Sequence, residues 1–285
     1  MLERILLADS GTAKTKEMMR YLLEIPALRR STVTILSAVA PQVSAAGMAA
    51  KWEEGGKILA QTMRNLEIAP DRVTTILREG DPKYAVCDVS EEIQADLIVM
   101  GSRGLNRLEA IFENSVSQFV FQLASRPMLS IRDDTYVKKI KRVMVAIDKF
   151  ASTQYCLDLA FFLLREIPKG QLTLLYVDPA RGRDPQVITG RDAEVNEMIA
   201  PAFTRAKRLG IDTRCFVTGG NEGKAICTLA DERSIDLLVV GSPERRPTIA
   251  RSLPDFDRLL GGSVSDYVRV NAICPVLLGR TFAQV

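Results

Sequence analysis

The chain is written twice, and that constrains its fold more than any other feature. "RILLADS" (4–10) returns as "RVMVAID" (142–148), so that Asp9 and Asp148 stand 139 positions apart. "VTTILREGDP" (73–82) returns as "TRCFVTGGNE" (213–222), and "ADLIVMGS" (95–102) as "IDLLVVGS" (235–242), both at an offset of 140. "NSVSQFV" (114–120) answers "GSVSDYV" (262–268), and "RPMLSIR" (126–132) answers "CPVLLGR" (274–280), now at 148. The jump from 140 to 148 places eight extra residues between Ser242 and Gly262. A period this long is the duplication of a whole domain, not a solenoid of short units. The expected domains are 1–135 and 140–285, joined through "DDTYVKKIK" (133–141).

Within the first copy, apolar runs suited to strands lie near 4–9, 32–39, 73–78, 95–100 and 127–131. Helical patterns lie between them near 13–25, 47–66, 83–93 and 113–124. Runs such as "LIVM" and "LLVV" are apolar on both faces, as strands inside a parallel sheet are. Strand–helix alternation then predicts an α/β fold of two tandem doubly wound domains, each a parallel sheet with helices on both faces and right-handed crossovers.

Composition removes whole classes of chemistry. The chain has no histidine. Ser-His-Asp and Cys-His nucleophile systems, imidazole bases and histidine-ligated metals are excluded. Five dispersed cysteines without a C-x-x-C pair read as reduced thiols of a cytoplasmic protein. A net charge of +3 gives no basic surface for nucleic acid. No run of 18 apolar residues offers a membrane span, and "MLERILLADS" is too short and charged for a signal peptide. Two stretches mimic a P-loop and fail. "ADSGTAKT" has Ala8 and Ala13 where glycines belong, and "TGGNEGKA" opens on Thr218 and closes on Ala225.

In a doubly wound sheet, ligands bind outside the carboxyl ends of the strands, where strand order reverses. Asp9 and Asp148 end the first strand of each copy, and Gly101 and Gly241 end the fourth. If those strands are neighbours, a carboxylate able to accept ribose hydroxyls or hold a divalent cation faces a turn open to phosphate oxygens. Ser115 and Ser117, with Ser263 and Ser265 in the second copy, open a helix whose amides favour an anion. Taken singly, each is ordinary: a strand-end Asp caps turns, and a helix-start Ser caps helices. Their recurrence as a set points to nucleotide-site ancestry.

With these residues in view, each copy resembles the universal stress protein domain, and the chain resembles a tandem member of that family over nearly its whole length. The carrying features are Asp9 and Asp148, "EGDP", "ADLIVMGSRG", "NSVS" and "GSVS", and the closing "RPMLSIR" and "CPVLLGR". The resemblance implies five strands per domain in the order 3-2-1-4-5 and domain pairing through the fifth strands. It also implies a site for ATP, or for AMP or ADP, with a magnesium ion. In the first copy that site would be built from Ala8, Asp9 and Ser10, from Met100, Gly101, Arg103 and Gly104, and from Asn114, Ser115, Val116 and Ser117. In the second it would be built from Ile147, Asp148, Val240 and Gly241, with Gly262, Ser263, Val264 and Ser265. Adenine would rest near Ala38 or Val177.

ATP-binding members of the family carry Gly-x-x-Gly, nine residues, then Gly-Ser or Gly-Thr. Here Asn114 replaces the third glycine of the first copy, and Glu244 stands where the second glycine of the other copy belongs. Asn tolerates a left-handed backbone, whereas a carboxylate beside a triphosphate repels it. The insert "RRPTIARSLPDFDR" adds Arg245, Arg246 and Arg251 near that glutamate. The first copy is thus expected to be the better site. The expected function is a cytoplasmic stress-response protein that binds adenine nucleotide and acts through partners, with no catalytic residues and at most weak ATP hydrolysis. A nucleotide-free scaffold and a slow ATPase are the alternatives. Expected partners are the nucleotide and further proteins, with no nucleic acid and no membrane. The paired domains would lie within one chain, which is a monomer or a homodimer.

Overall fold

The computed structural model describes residues 2–9, 12–102, 115–242 and 263–280. It divides into two compact units, the first ending at Asp133 and the second beginning at Asp134. The first contains β1 (Arg4–Ala8), α1 (Ala13–Glu24), β2 (Thr32–Val39), α2 (Ala45–Leu66), β3 (Val73–Glu79), α3 (Pro82–Glu92), β4 (Leu97–Ser102), α4 (Val116–Leu123) and β5 (Met128–Arg132). Its strands run in the order β3-β2-β1-β4-β5, and every pair is parallel.

Local chemistry explains these boundaries. Ile5, Leu6 and Leu7 are wholly buried in β1, as a strand with no polar face requires. Helix α2 starts where the Ser44 hydroxyl accepts the Gly47 amide at 3.0 Å, and it ends at Glu67 in a left-handed conformation. Asp81 caps α3 through the Lys83 amide at 3.0 Å, with Pro82 in the first turn. Helices α1 and α2 pack together, as do α3 and α4, so two helix pairs flank the sheet.

The second unit contains β6 (Arg142–Ile147), α5 (Ala151–Leu164), β7 (Gln171–Val177), β8 (Gln186–Ile188), α6 (Arg191–Val195), α7 (Ala200–Arg208), β9 (Asp212–Thr218), α8 (Glu222–Glu232), β10 (Leu237–Gly241), α9 (Val264–Asn271) and β11 (Val276–Gly279). Its order is β8-β9-β7-β6-β10-β11. The expectation of a five-stranded, wholly parallel sheet in each copy is corrected here. The second unit carries a sixth strand, β8, antiparallel to β9 through Val187 opposite Phe216. The reason is the chain after β7. In the first unit a long helix follows β2, whereas here a proline- and glycine-bearing stretch turns back and lays an edge strand beside β9.

Both units share an aspartate staple that fixes the two central strands. Asp96 accepts the Glu3 and Arg4 amides, each at 2.8 Å, where β1 enters the sheet beside β4. Asp236 does the same for Lys141 at 3.1 Å and Arg142 at 2.8 Å, and also holds the Arg142 guanidinium at 3.0 Å. Each staple pins the amino ends of the strands whose carboxyl ends carry the candidate site residues.

Candidate nucleotide site

Strands one and four are neighbours in both units. Ala8 lies opposite Met100, and β6 pairs with β10 through Val145 and Val239. The strand order reverses between these strands, so the aspartate and the glycine of each copy meet at the switch point. Ala8, Met100, Ile147 and Val240 are buried and form the floor. Ser10, Arg103, Gly104, Asn114 and Gly262 lie outside the described residues, as do Pro243, Glu244, Arg245, Arg246 and Arg251.

In the first unit, Asp9 is drawn inward. Its carboxylate accepts the hydroxyl of Thr62, which reaches across from α2, and lies 3.7 Å from the Lys16 ammonium on α1. The Asp9 side chain has no exposed surface and that of Lys16 only 12%. A buried carboxylate thus meets a half-buried ammonium, and its contacts to α1 and α2 help hold both helices on the sheet.

Gly101 also serves a neighbour within the unit. A Cβ there would stand 2.7 Å from the Thr15 hydroxyl and 2.9 Å from that of Thr12, which are hydrogen-bonded to each other at 2.7 Å. The glycine lets β4 pass the start of α1. Three buried hydroxyls then join α4 to β4. Ser115 and Ser117 are 3.1 Å apart, and Ser117 donates to Ser102 at 3.1 Å. Ser115 stands at the N-cap position without capping through its side chain. Val116 is half-buried between them.

The second unit arranges the same parts differently. Asp148 is half-buried and spends one oxygen, Oδ1, on its own turn, accepting the Phe150 amide at 2.8 Å and the Thr153 hydroxyl. The other oxygen, Oδ2, faces Gly241, where a Cβ would stand 3.6 Å from it and 2.6 Å from the Ser152 hydroxyl. Among the described residues no cation pairs with Asp148. Ser263 caps α9 by accepting the Asp266 amide at 3.2 Å, and its hydroxyl is 3.0 Å from that of Ser265. Val264 follows, half-buried. The Ser242 hydroxyl is buried beside Gly241 with no partner among the described residues. Burial pushes the Cys156 thiol on α5 up to about 12, with the Asp148 charge adding to the effect, so no thiolate nucleophile stands here.

Phosphate oxygens fit this second arrangement. The groups that suit them are the orphan Ser242 hydroxyl and the amino end of the eight-residue helix that follows, whereas Gly241 itself lets β10 pass the Ser152 side chain, whose hydroxyl lies 2.6 Å from where a Cβ would stand. Among the described residues no group of three or more Cys, Asp or Glu could hold a metal by itself. A magnesium ion would therefore arrive with phosphates as its other ligands.

Ala38 at the end of β2 is half-buried, and Val177 at the end of β7 is buried. The residues missed from sequence are Lys16, Thr62, Thr12, Thr15, Ser102 and Ser242. Only the last two carried a signal, since a serine follows the strand-four glycine in both copies.

The fold and this repeated switch-point site define a tandem, doubly wound α/β protein. The sequence matches the Universal stress protein family over residues 1–132 and 139–280, and the chain belongs to that family. Relatives align over shorter stretches. The Universal stress protein A-like protein of Arabidopsis thaliana is 36% identical over 56 residues, 20% of this chain and 32% of its own. Universal stress protein YxiE of Bacillus subtilis is 34% identical over 80 residues, 28% of this chain and 54% of its own. The chain thus spans about a third to a half of the curated relatives it matches. A universal stress protein from Archaeoglobus fulgidus superposes with a TM-score of 0.73 at 21% identity, over 98% of this chain and 96% of that one. A functionally unknown protein from Pseudomonas aeruginosa PAO1 gives 0.57 at 14%, over 98% and 92%. These likenesses show the fold.

Proposed function

We infer that the chain is a regulatory protein that binds ATP, or another adenine nucleotide, at the carboxyl ends of its strands. It has domains 1–135 and 140–285 and is not an efficient enzyme. The observation that carries this reading is the recurrence, in both units, of an aspartate, a Gly-Ser and a Ser-x-Ser helix start around neighbouring strands one and four. Membership of the universal stress protein family supports it. Conformational change passed to protein partners is the proposed output, with the chain as a monomer or a homodimer. A cytoplasmic location is supported by five cysteines, none of which is in a disulfide. Among the described residues no helix is long and apolar enough to cross a membrane.

The first unit is the proposed working site, because the strand ends that would receive the base are open there. Among the described residues, no atom lies within 4 Å of where a Cβ of Gly80, at the end of β3, would stand, and Ala40 to Ser44 are exposed. The test is to purify the chain without added nucleotide, denature it, and assay the supernatant by ion-exchange chromatography with mass detection. About one adenine nucleotide per chain is expected. Gly104→Glu should abolish it, while Pro243→Ala should not. No nucleotide, followed by silence in calorimetry with ATP and magnesium, would instead favour the scaffold reading.

A further inference from the structure

The residues between Val177 and β8 do something the first unit has no counterpart for. Asp178 continues the ladder by donating its amide to the Thr218 carbonyl at 2.7 Å. The chain then turns tightly, with Arg181 donating to the Asp178 carbonyl at 3.0 Å and Ala180 to the Asp178 carboxylate at 3.0 Å. It next lies across the end of β9. The Gly219 amide donates to the Gly182 carbonyl at 2.8 Å, and the Thr218 hydroxyl donates to the Arg183 carbonyl at 2.8 Å. Strand β8 follows and clamps the far end against β9.

This crossing depends on one missing atom. A Cβ on Gly219 would lie 1.9 Å from the Arg181 carbonyl oxygen and 2.8 Å from that of Gly182. The obstacle is backbone, which cannot swing aside as a side-chain tip does. The first copy has Glu79 at the matching position and, among the described residues, no covering segment. The glycine and the crossing segment therefore occur together in the one copy and are both lacking in the other.

We propose that Asp178–Gln186 is a built-in strap over the ends of β7 and β9, and that it gates nucleotide access to the second unit, with Gly219 as the residue that lets it close. The gate rests on the nucleotide reading above; the strap itself does not. At the phosphate end of the second unit Ser242, Ser263 and Ser265 are in place, while the strap leaves the end of β7 at Val177 and crosses the end of the neighbouring β9. Closed, the second unit admits no base. Lifted, it becomes a second site. The strap is well suited to lifting. Its side chains from Arg181 to Gln186 are exposed, and the cross-links that hold it are a few hydrogen bonds rather than apolar packing.

The strap carries its own reporter, because trypsin cuts after Arg181 and Arg183. The full chain is compared with Gly219→Ala, with Thr218→Val, which removes the hydroxyl at nearly constant volume, and with Gly182→Ala. The last is the control, since a Cβ there meets nothing within 4 Å. Cleavage at those two bonds should quicken about tenfold or more in Gly219→Ala, less in Thr218→Val, and not in Gly182→Ala. Calorimetry with ATP and magnesium should count one site in the wild type and two in Gly219→Ala. Unchanged cleavage in both strap variants overturns the strap. Faster cleavage with an unchanged site count, or two sites already in the wild type, overturns the gate while the nucleotide reading stands. No binding in any variant despite faster cleavage overturns the gate and the nucleotide reading together, and leaves the strap in place.

Discussion

The two units began as one design, and each has altered a different half of it. In the first, the strand-one aspartate is locked between Lys16 and Thr62 and contributes to the fold, while the strand ends beside Ala38 and Gly80 stay open. In the second, Asp148 keeps an oxygen facing Gly241, while the segment after β7 crosses the end of β9. The first unit thus keeps the open strand ends without a free aspartate, and the second keeps the aspartate oxygen without open strand ends. The same residue type in the same sequence position therefore has two jobs. What decides between them is the set of side chains on neighbouring helices, not the motif.

The largest effect expected from breaking this comparison is on stability. Asp9→Ala removes the acceptor of the buried Thr62 hydroxyl and the carboxylate beside the half-buried Lys16, which should cost about 3 kcal/mol. Urea titration followed by Trp52 fluorescence reads this out, because the single tryptophan sits on α2 of the first unit. Adding Lys16→Met should restore part of the loss. A cost below about 1 kcal/mol would mean that Asp9 is solvated and available to a ligand after all. Next in size is the staple of the other unit. Asp236→Ala removes the acceptor for two backbone amides and a guanidinium, and about 2–3 kcal/mol should be lost in a circular dichroism melt. Smaller again is Asp148→Ala, at about 1 kcal/mol, because only a turn and a helix start depend on it. If Asp148→Ala proved as costly as Asp9→Ala, the two aspartates would have the same job and the contrast would fall.

The duplication and the parallel strands common to both units were legible in the apolar runs and their offsets, which are properties of the chain itself, whereas the meeting of strands one and four followed from the family resemblance. The job of Asp9 was not. Thr62 is 53 positions away, and nothing in its helix marks it as a partner. Gly101 was legible as necessary but for another reason: its closest neighbours are the hydroxyls of Thr12 and Thr15. The strap was the least visible feature. Strand β8 has three residues, two of them exposed, so no apolar alternation announces it. Its one trace was Gly219 standing where the first copy has Glu79, and a double glycine reads equally well as a loop or a failed P-loop.

The smallest effect expected is a near-null one, and it sharpens the comparison from the electrostatic side. Burial is the leading cause that raises the Cys156 thiol to about 12, and the Asp148 charge ranks behind it. At pH 8 the thiolate fraction of such a group is about one in ten thousand. Iodoacetamide should therefore label the half-buried Cys87 and Cys227 in the native chain while sparing Cys156, Cys215 and Cys274. Asp148→Asn removes the neighbouring charge yet leaves the burial, so Cys156 should stay unlabelled, as mass spectrometry of the native digest would show. Rapid labelling of Cys156 in that variant alone would mean that the carboxylate, and not the packing of α5, keeps the thiol protonated. Asp148 would then be acting on the interior of its unit, as Asp9 does, and the oxygen assigned to a ligand would have to be reassigned to the fold.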